Sequence, residues 1–313
     1  MSLAVIFNGQ GAHYQDMGQD FAQIFPEAEA IYEKVETLTE YPIRQWITDD
    51  LEALRETRYA QVAIASTSIA IFESIKSQLP AIKYMAGLSL GEYTSLIASG
   101  MLDFEEGFEL LKTRGQLMTA HCNALRETSD IVMEAVLKIP ITEIKAVIDE
   151  VNQSKEQLYL ANLNSSTQVT IAGTKEAVNC FKELARERGY RRVMPLKVEG
   201  PFHSPYMTPV CEPYKDVLEN VTFKAKKVPV ISNTTVQPHT TSEVADLLVR
   251  HLVESVRWQE TIAYFVDQGV DKIIQIGPGK TLASLLKREP NAPDTLVIDK
   301  VSDLDKIGSF LGG

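Results

Sequence analysis

Gly87-Leu88-Ser89-Leu90-Gly91 fits G-x-S-x-G, a spacing that can present a serine as a nucleophile. A serine on a sharp strand-to-helix turn sits in strained backbone, and side chains two residues to either side would clash, so glycines belong there. The turn also sets the hydroxyl at a helix N-terminus, where free N–H groups can stabilise an oxyanion. A glycine-flanked turn with an incidental serine has the same local pattern, so the motif needs a partner. A serine hydroxyl attacks well only when a base takes its proton, and the chain has five histidines. His13 follows the first apolar run, His121 lies late in a helical pattern, His239 stands in a polar Pro-His-Thr-Thr stretch, and His251 falls in an amphipathic pattern. His203 sits in Gly200-Pro201-Phe202-His203-Ser204-Pro205, where a proline on each side fixes the local path. That stiffness makes His203 the candidate base, although composition alone also allows a surface loop histidine.

The elements around these residues predict an α/β protein. LAVIFNGQGA reads as a strand and a glycine turn, and the stretch from about Tyr14 to Leu38 has helical spacing. Gln61 to Leu79 is a second helix, AIKYMAGLS a strand, GEYTSLIASG the helix after it, and Phe104 to Leu125 another helix. Between about Asp130 and Val198, strand-like MEAVLKI, QLYLANL, QVTIAG and YRRVMPLKV alternate with two amphipathic helices in the order β-α-β-β-α-β. That order is the ferredoxin-like split motif. From Gly200 the alternation resumes: a helix over Tyr206 to Asn220, the strand VPVISN, a helix over Ser242 to Val256, then DKIIQI and its helix. The expected architecture is a large α/β-hydrolase-like domain with a mainly parallel sheet, formed by residues 1–128 and 199–313. A ferredoxin-like subdomain, 129–198, is inserted in it.

Composition excludes several classes. The 313 residues are 44% hydrophobic and 23% charged, ordinary for a globular protein. A net charge of −11 argues against nucleic acid as the main partner. No apolar run is long enough to span a bilayer, and the N-terminus lacks the pattern of a secretion signal. Cys122, Cys180 and Cys211 stand far apart, suggesting a reducing compartment and neither disulfides nor a zinc site; the cytoplasm is expected. Gly279-Lys280-Thr281 looks like the end of a phosphate-binding loop, but Ile274 stands where the leading glycine is required, so it reads as a strand-to-helix turn.

Taken in order, these pieces resemble the malonyl-CoA:acyl-carrier-protein transacylases of bacterial fatty-acid synthesis. The likeness runs from Gly9-Gln10-Gly11 through Thr57 to Gln61, the serine turn with Glu92-Tyr93, Thr113-Arg114-Gly115, Asn162 to Gly173 and Phe202-His203-Ser204. It ends in Ile276 to Lys280. The resemblance implies that Ser89 accepts malonyl from coenzyme A and that His203 is first general base, then general acid. It implies backbone N–H groups of Gln10 and Leu90 as the oxyanion hole, and Arg114 as the partner of the malonyl carboxylate. It implies a dyad without an acidic third member, the histidine held by carbonyls near Ser232-Asn233 and His251, with Gln61 and Asn162 supporting. Leu88, Phe202 and Ser204 would line the pocket, Phe202 with Ser204 favouring malonyl over methylmalonyl.

No cofactor and no metal are implied, because thioester-to-thioester transfer is nearly balanced in energy; coenzyme A enters as the substrate's thioester. The second acceptor would be acyl carrier protein, docking on Arg186, Arg188, Arg191, Arg192, Lys197, Lys287 and Arg288. A monomer is expected, since the fold can bury both faces of its own sheet.

The chain departs from the family where Leu88 replaces a histidine, Asn8 a proline, His13 and His251 glutamines, Ser255 a proline and Gln275 a glutamate. Activity is expected to survive Leu88, in a drier pocket. Two other readings stay open. One is a stand-alone acyltransferase serving a polyketide synthase. The other is a serine thioesterase or esterase, which would call for an acid between serine and histidine in the chain and no cation for a malonyl carboxylate.

Overall fold

The computed structural model describes residues 1–153 and 156–312. The strands in chain order are β1 (Leu3–Phe7), β2 (Ile82–Gly87), β3 (Ile131–Leu137), β4 (Leu158–Ser165), β5 (Gln168–Thr174), β6 (Val193–Pro195), β7 (Lys272–Ile276) and β8 (Asp294–Ile298). They form two four-stranded sheets. The first, ordered β2-β1-β7-β8, is parallel throughout.

β1 is buried at every position, as an inner strand covered on both faces must be. Its side chains alternate between two cores. Val5 and Phe7 join Met85, Ile274 and Ile276 against the helix Thr57–Ile75, while Ala4 and Ile6 join Ala86 and Ile273 against Trp258, Phe265 and Leu285. The Thr57–Ile75 helix is buried nearly all round, and its Ser66, Thr67, Ser68 and Ser74 hydroxyls each donate to the carbonyl four residues earlier. That local bond lets small polar residues pass through the core without an orphaned donor.

The second sheet is antiparallel, ordered β4-β5-β3-β6, with the helices Ile141–Val151 and Lys175–Glu187 on one face. This is the expected ferredoxin-like arrangement on an α/β body. Val136, Val169 and Ile171 face those helices. The alternate residues Met133, Ala135 and Thr170 face the other way and, with Asn162 and Asn164, wall the cavity described below.

Several boundaries differ from the sequence reading. The helix expected over Tyr14 to Leu38 is two, Gln19–Ile24 and Pro26–Thr39, because Pro26 has no N–H to continue the first and instead starts the second. The expected strand VPVISN touches β2 only at Met85↔Val230 and then turns back, Ser232 N–H donating to the Gln237 carbonyl. The last strand of the small sheet shortens to Val193–Pro195, with one further bond from the Leu196 N–H to the Met133 carbonyl. The helices after Gly200 shorten to Thr208–Leu218 and Val244–Arg250. Among the described residues no helix is long and apolar enough to cross a membrane.

Candidate active site

β2 ends at Gly87, the helix Leu90–Ser99 begins two residues after Leu88, and Ser89 between them has φ 55° and ψ −106°. That is a conformation a side-chain-bearing residue rarely holds. The flanking glycines are required by contact. A Cβ on Gly87 would stand 2.0 Å from the Gly91 carbonyl carbon, and one on Gly91 would stand 2.2 Å from the Phe7 carbonyl oxygen. Asn233 clamps the turn from the side: it accepts the Ser89 N–H at 2.7 Å and donates to the Gly87 carbonyl at 2.8 Å.

Ser89 Oγ lies 2.7 Å from His203 Nε2, and His203 Nδ1 lies 2.7 Å from the His251 carbonyl oxygen. A carbonyl can only accept, so Nδ1 carries the proton and Nε2 presents a lone pair to the serine hydroxyl. His203 also sits at a positive φ of 58°. Burial, and secondly the Arg114 cation, push its pKa down to about 3. The imidazole is therefore neutral near pH 7 and free to accept a proton.

The N–H groups of Gln10 and Leu90 have no acceptor among the described residues. The Gly9 segment approaches so closely that a Cβ on Gly9 would lie 2.4 Å from the Leu88 carbonyl oxygen. The Gln10 side chain is held by the Thr57 hydroxyl at 2.9 Å. Arg114, 1% exposed, donates through Nη1 to Gln61 Oε1 at 2.7 Å, and its guanidinium lies 4.9 Å from the Tyr93 ring centre. Its Nε and Nη2 have no partner among the described residues. Buried donors on a fixed cation, left unpaired inside a cavity, are a receptor for an anion.

A cavity of about 330 Å³ joins these groups, with Gln10, Ser89, Arg114 and His203 on its lining. Leu88, Phe202 and Asn162 also face it, while Met118, Leu196 and Leu285 make much of the remainder apolar. Ser204 does not line the cavity, because its hydroxyl turns back to the Pro201 carbonyl at 2.5 Å. Gln61, Asn233 and His251 sit behind the lining. A larger cavity of about 720 Å³ adjoins the β4–β5 turn, between Lys138, Ser166, Arg192 and Arg288. Glu92, given no role by the sequence, and His239, weighed there only as a base, lie buried behind the Ser89 turn, with His239 Nε2 2.6 Å from Glu92 Oε1. The position of Glu92 one helical turn after Ser89 was the available signal.

Comparison with known proteins adds the following. The family model for the acyl transferase domain matches residues 5–303. A malonyl CoA-acyl carrier protein transacylase of Bacillus subtilis is 35% identical over 298 residues, covering 95% of this chain and 93% of that protein. An acyl carrier protein S-malonyltransferase from Vibrio cholerae superposes with a TM-score of 0.92 at 31% identity, over 98% of this chain and all of that one. A malonyl-transacylase in complex with its type II polyketide acyl-carrier protein superposes with a TM-score of 0.91 at 30% identity, over 98% and 99% of the two chains.

Proposed function

This chain belongs to the acyl transferase domain family and is an acyltransferase, and we propose that it moves malonyl from coenzyme A to acyl carrier protein through an ester on Ser89. The observation that carries the reading is Arg114: a buried guanidinium on the lining of the cavity that holds the Ser89–His203 pair, two of its nitrogens without a partner among the described residues. A carboxylate at the far end of an acyl group satisfies both nitrogens and presents the thioester carbonyl to Ser89.

Ser89 Oγ attacks that carbonyl carbon as its proton passes to His203 Nε2. The negative charge on the carbonyl oxygen meets the Gln10 and Leu90 N–H groups. The C–S bond breaks, the proton on His203 goes to the departing sulfur, and coenzyme A leaves as the thiol. The carrier's thiol then attacks the ester, His203 takes its proton, the C–O bond breaks, and Ser89 regains its hydrogen. A His203 with so low a proton affinity is a strong acid once protonated, which suits the return of the proton to sulfur. The apolar part of the cavity limits the water that would compete for the acyl group. No cofactor takes part in these steps.

In this reading residues 1–128 and 199–313 are the catalytic body and 129–198 the smaller part, the protein acting as a cytoplasmic monomer. The carrier docks on Arg192, Lys197 and Arg288 at the two cavities. Arg188 serves less, since it is engaged by Glu143 and Glu150. A polyketide carrier is the alternative acceptor, with one structural neighbour seen in complex with such a protein. The test is intact-protein mass spectrometry after brief exposure to malonyl-CoA. The expected result is a malonyl adduct that requires Ser89, weakens in Arg114→Ala and discharges onto acyl carrier protein. Hydrolysis without discharge onto any carrier would point to a thioesterase.

A further inference from the structure

Behind the reacting pair lies a buried polar cluster that the transfer steps above do not use. Glu92 is fully buried in the helix that follows Ser89. One carboxylate oxygen, Oε1, lies 2.6 Å from His239 Nε2. The other accepts the Asn233 backbone N–H at 3.3 Å and lies 3.2 Å from His251 Nδ1. His251 in turn stacks its ring on that of His203, with centres 4.8 Å apart and planes 28° from parallel. The same residue's carbonyl holds His203 Nδ1, and Asn233 is the residue that clamps the Ser89 turn. One carboxylate therefore contacts both the residue that orients the base and the residue that fixes the nucleophile.

A carboxylate shut away from water is costly unless it is matched; Glu92 is hydrogen-bonded by His239 and the Asn233 N–H and approached by the His251 ring without a hydrogen bond, and among the described residues no Lys or Arg pairs with it. The charges around the base show what such a group can do. His203 faces Ser89, His251 and the Arg114 cation. His251 faces His203, Arg114, His239, Glu92 and the Tyr93 ring. When His203 takes the serine proton, a positive charge forms in a dry site already containing Arg114. Glu92 is the carboxylate in this set, one imidazole ring away.

We propose that Glu92 is a positioning residue for acyl transfer, holding and electrostatically supporting His203 through the stacked His251 ring while fixing the Ser89 turn through Asn233. The proposal rests on the reading of Ser89 and His203 as nucleophile and base. It places the missing acid of the dyad beyond an intervening ring, at a position this chain fills with histidine.

The experiment measures single-turnover acylation of Ser89 by malonyl-CoA in the wild type, Glu92→Gln, His251→Gln and the double variant. Sulfonylation of Ser89 by phenylmethylsulfonyl fluoride serves as a probe that needs no acyl carboxylate. Glu92→Gln is expected to slow both reactions about 10- to 100-fold, one to two pK units of lost support for the imidazolium, with half-saturation by malonyl-CoA within about twofold, as for a change confined to the reacting step. In the His251→Gln background the same change is expected to cost less than about threefold, because the ring is gone and only the 3.3 Å contact to the Asn233 N–H remains. Tyr32→Phe, which removes a buried hydrogen bond to Thr67 elsewhere, controls for lost stability and is expected to leave both rates unchanged. If Glu92→Gln does not fold, Glu92→Asp replaces it, with an expected five- to tenfold loss as the carboxylate withdraws from His251. Equal losses with and without His251, a rise in half-saturation matching the fall in rate, or wild-type rates in the Glu92 variant would each overturn the proposal. A wild type in which neither reagent modifies Ser89 would instead overturn the functional reading beneath it.

Discussion

Replacing Arg114 with alanine removes the anion receptor but leaves the Ser89–His203 pair in place, so its effect must depend on the acyl donor. The guanidinium is 1% exposed, fixed by Gln61 at 2.7 Å, with Nε and Nη2 unpaired among the described residues. A malonyl carboxylate bound there forms a buried, two-pronged ion pair. Deleting one partner of such a pair costs about 3–5 kcal/mol, which at about 1.4 kcal/mol per decade is roughly a 10²- to 10³·⁵-fold loss in acylation by malonyl-CoA. Acetyl-CoA has no carboxylate to strand. Removing Arg114 also lifts one of the two causes that depress His203, so acetyl transfer is expected to hold or to rise by up to about tenfold. The assay is single-turnover acylation with each donor, read by intact mass, the quantity of interest being the ratio of the two rates. Arg114→Lys keeps the charge but loses the planar fork, and an intermediate ratio is expected. Equal losses with both donors would refute the argument, because they would make Arg114 a scaffold for the serine turn.

Three other outcomes follow from the geometry. Stability should fall on acidification: His203 has a folded pKa near 3 against 6.5 for the free side chain, so below pH 6.5 the unfolded chain binds more protons. Between pH 7 and 5 this costs about 2 kcal/mol, and His251 shifts in the same direction; urea titrations of His203→Gln should show the pH 7 to 5 difference shrink by about that amount, and an unchanged difference would contradict the buried neutral imidazole. Ser89→Gly should abolish the adduct yet unfold no earlier than the wild type, since release of the strained φ, worth about 1–3 kcal/mol, offsets the lost hydroxyl contact; a clear drop in Tm would mean the turn is not strained. Glutamate at both Arg191 and Arg192 should slow discharge onto carrier protein about tenfold at low salt while acylation by malonyl-CoA stays within twofold, and a carrier rate indifferent to both salt and substitution would place docking elsewhere.

The parts of the site legible in the sequence are those carried by short-range patterns. Gly87-x-Ser89-x-Gly91 encodes its own turn, and the prolines around His203 encode a stiff loop. Arg114 was reachable only through the likeness of several motifs in order, because one arginine in a helix carries no sign of its burial. The Glu92–His239 contact joins residues 147 apart, and nothing local to either position announces it. For the fold, strand-like runs marked the smaller sheet and β1, β2 and β7 of the larger one, but its edge strand β8, Asp294–Ile298, was not read. Alternation misjudged Val228 to Asn233, whose apolar pattern is that of a strand but whose chain reverses after a brief touch with β2. The family resemblance put Ser204 in the pocket, yet its hydroxyl donates to the Pro201 carbonyl and shapes the loop.

The order of the parallel sheet has a consequence for biosynthesis. β1 leaves the ribosome well before its neighbour β7, which pairs Lys272 with Leu3 and Ile276 with Phe7. At about 5–20 residues per second the intervening chain takes on the order of tens of seconds to emerge. During that interval β1 can pair only with β2, leaving one edge of an apolar strand unpaired and open to other chains. The antiparallel sheet, complete by Pro195, can close well before then. The protein therefore finishes its smaller sheet early and its catalytic sheet last, and its need for chaperones should be concentrated in the nascent chain before β7 arrives.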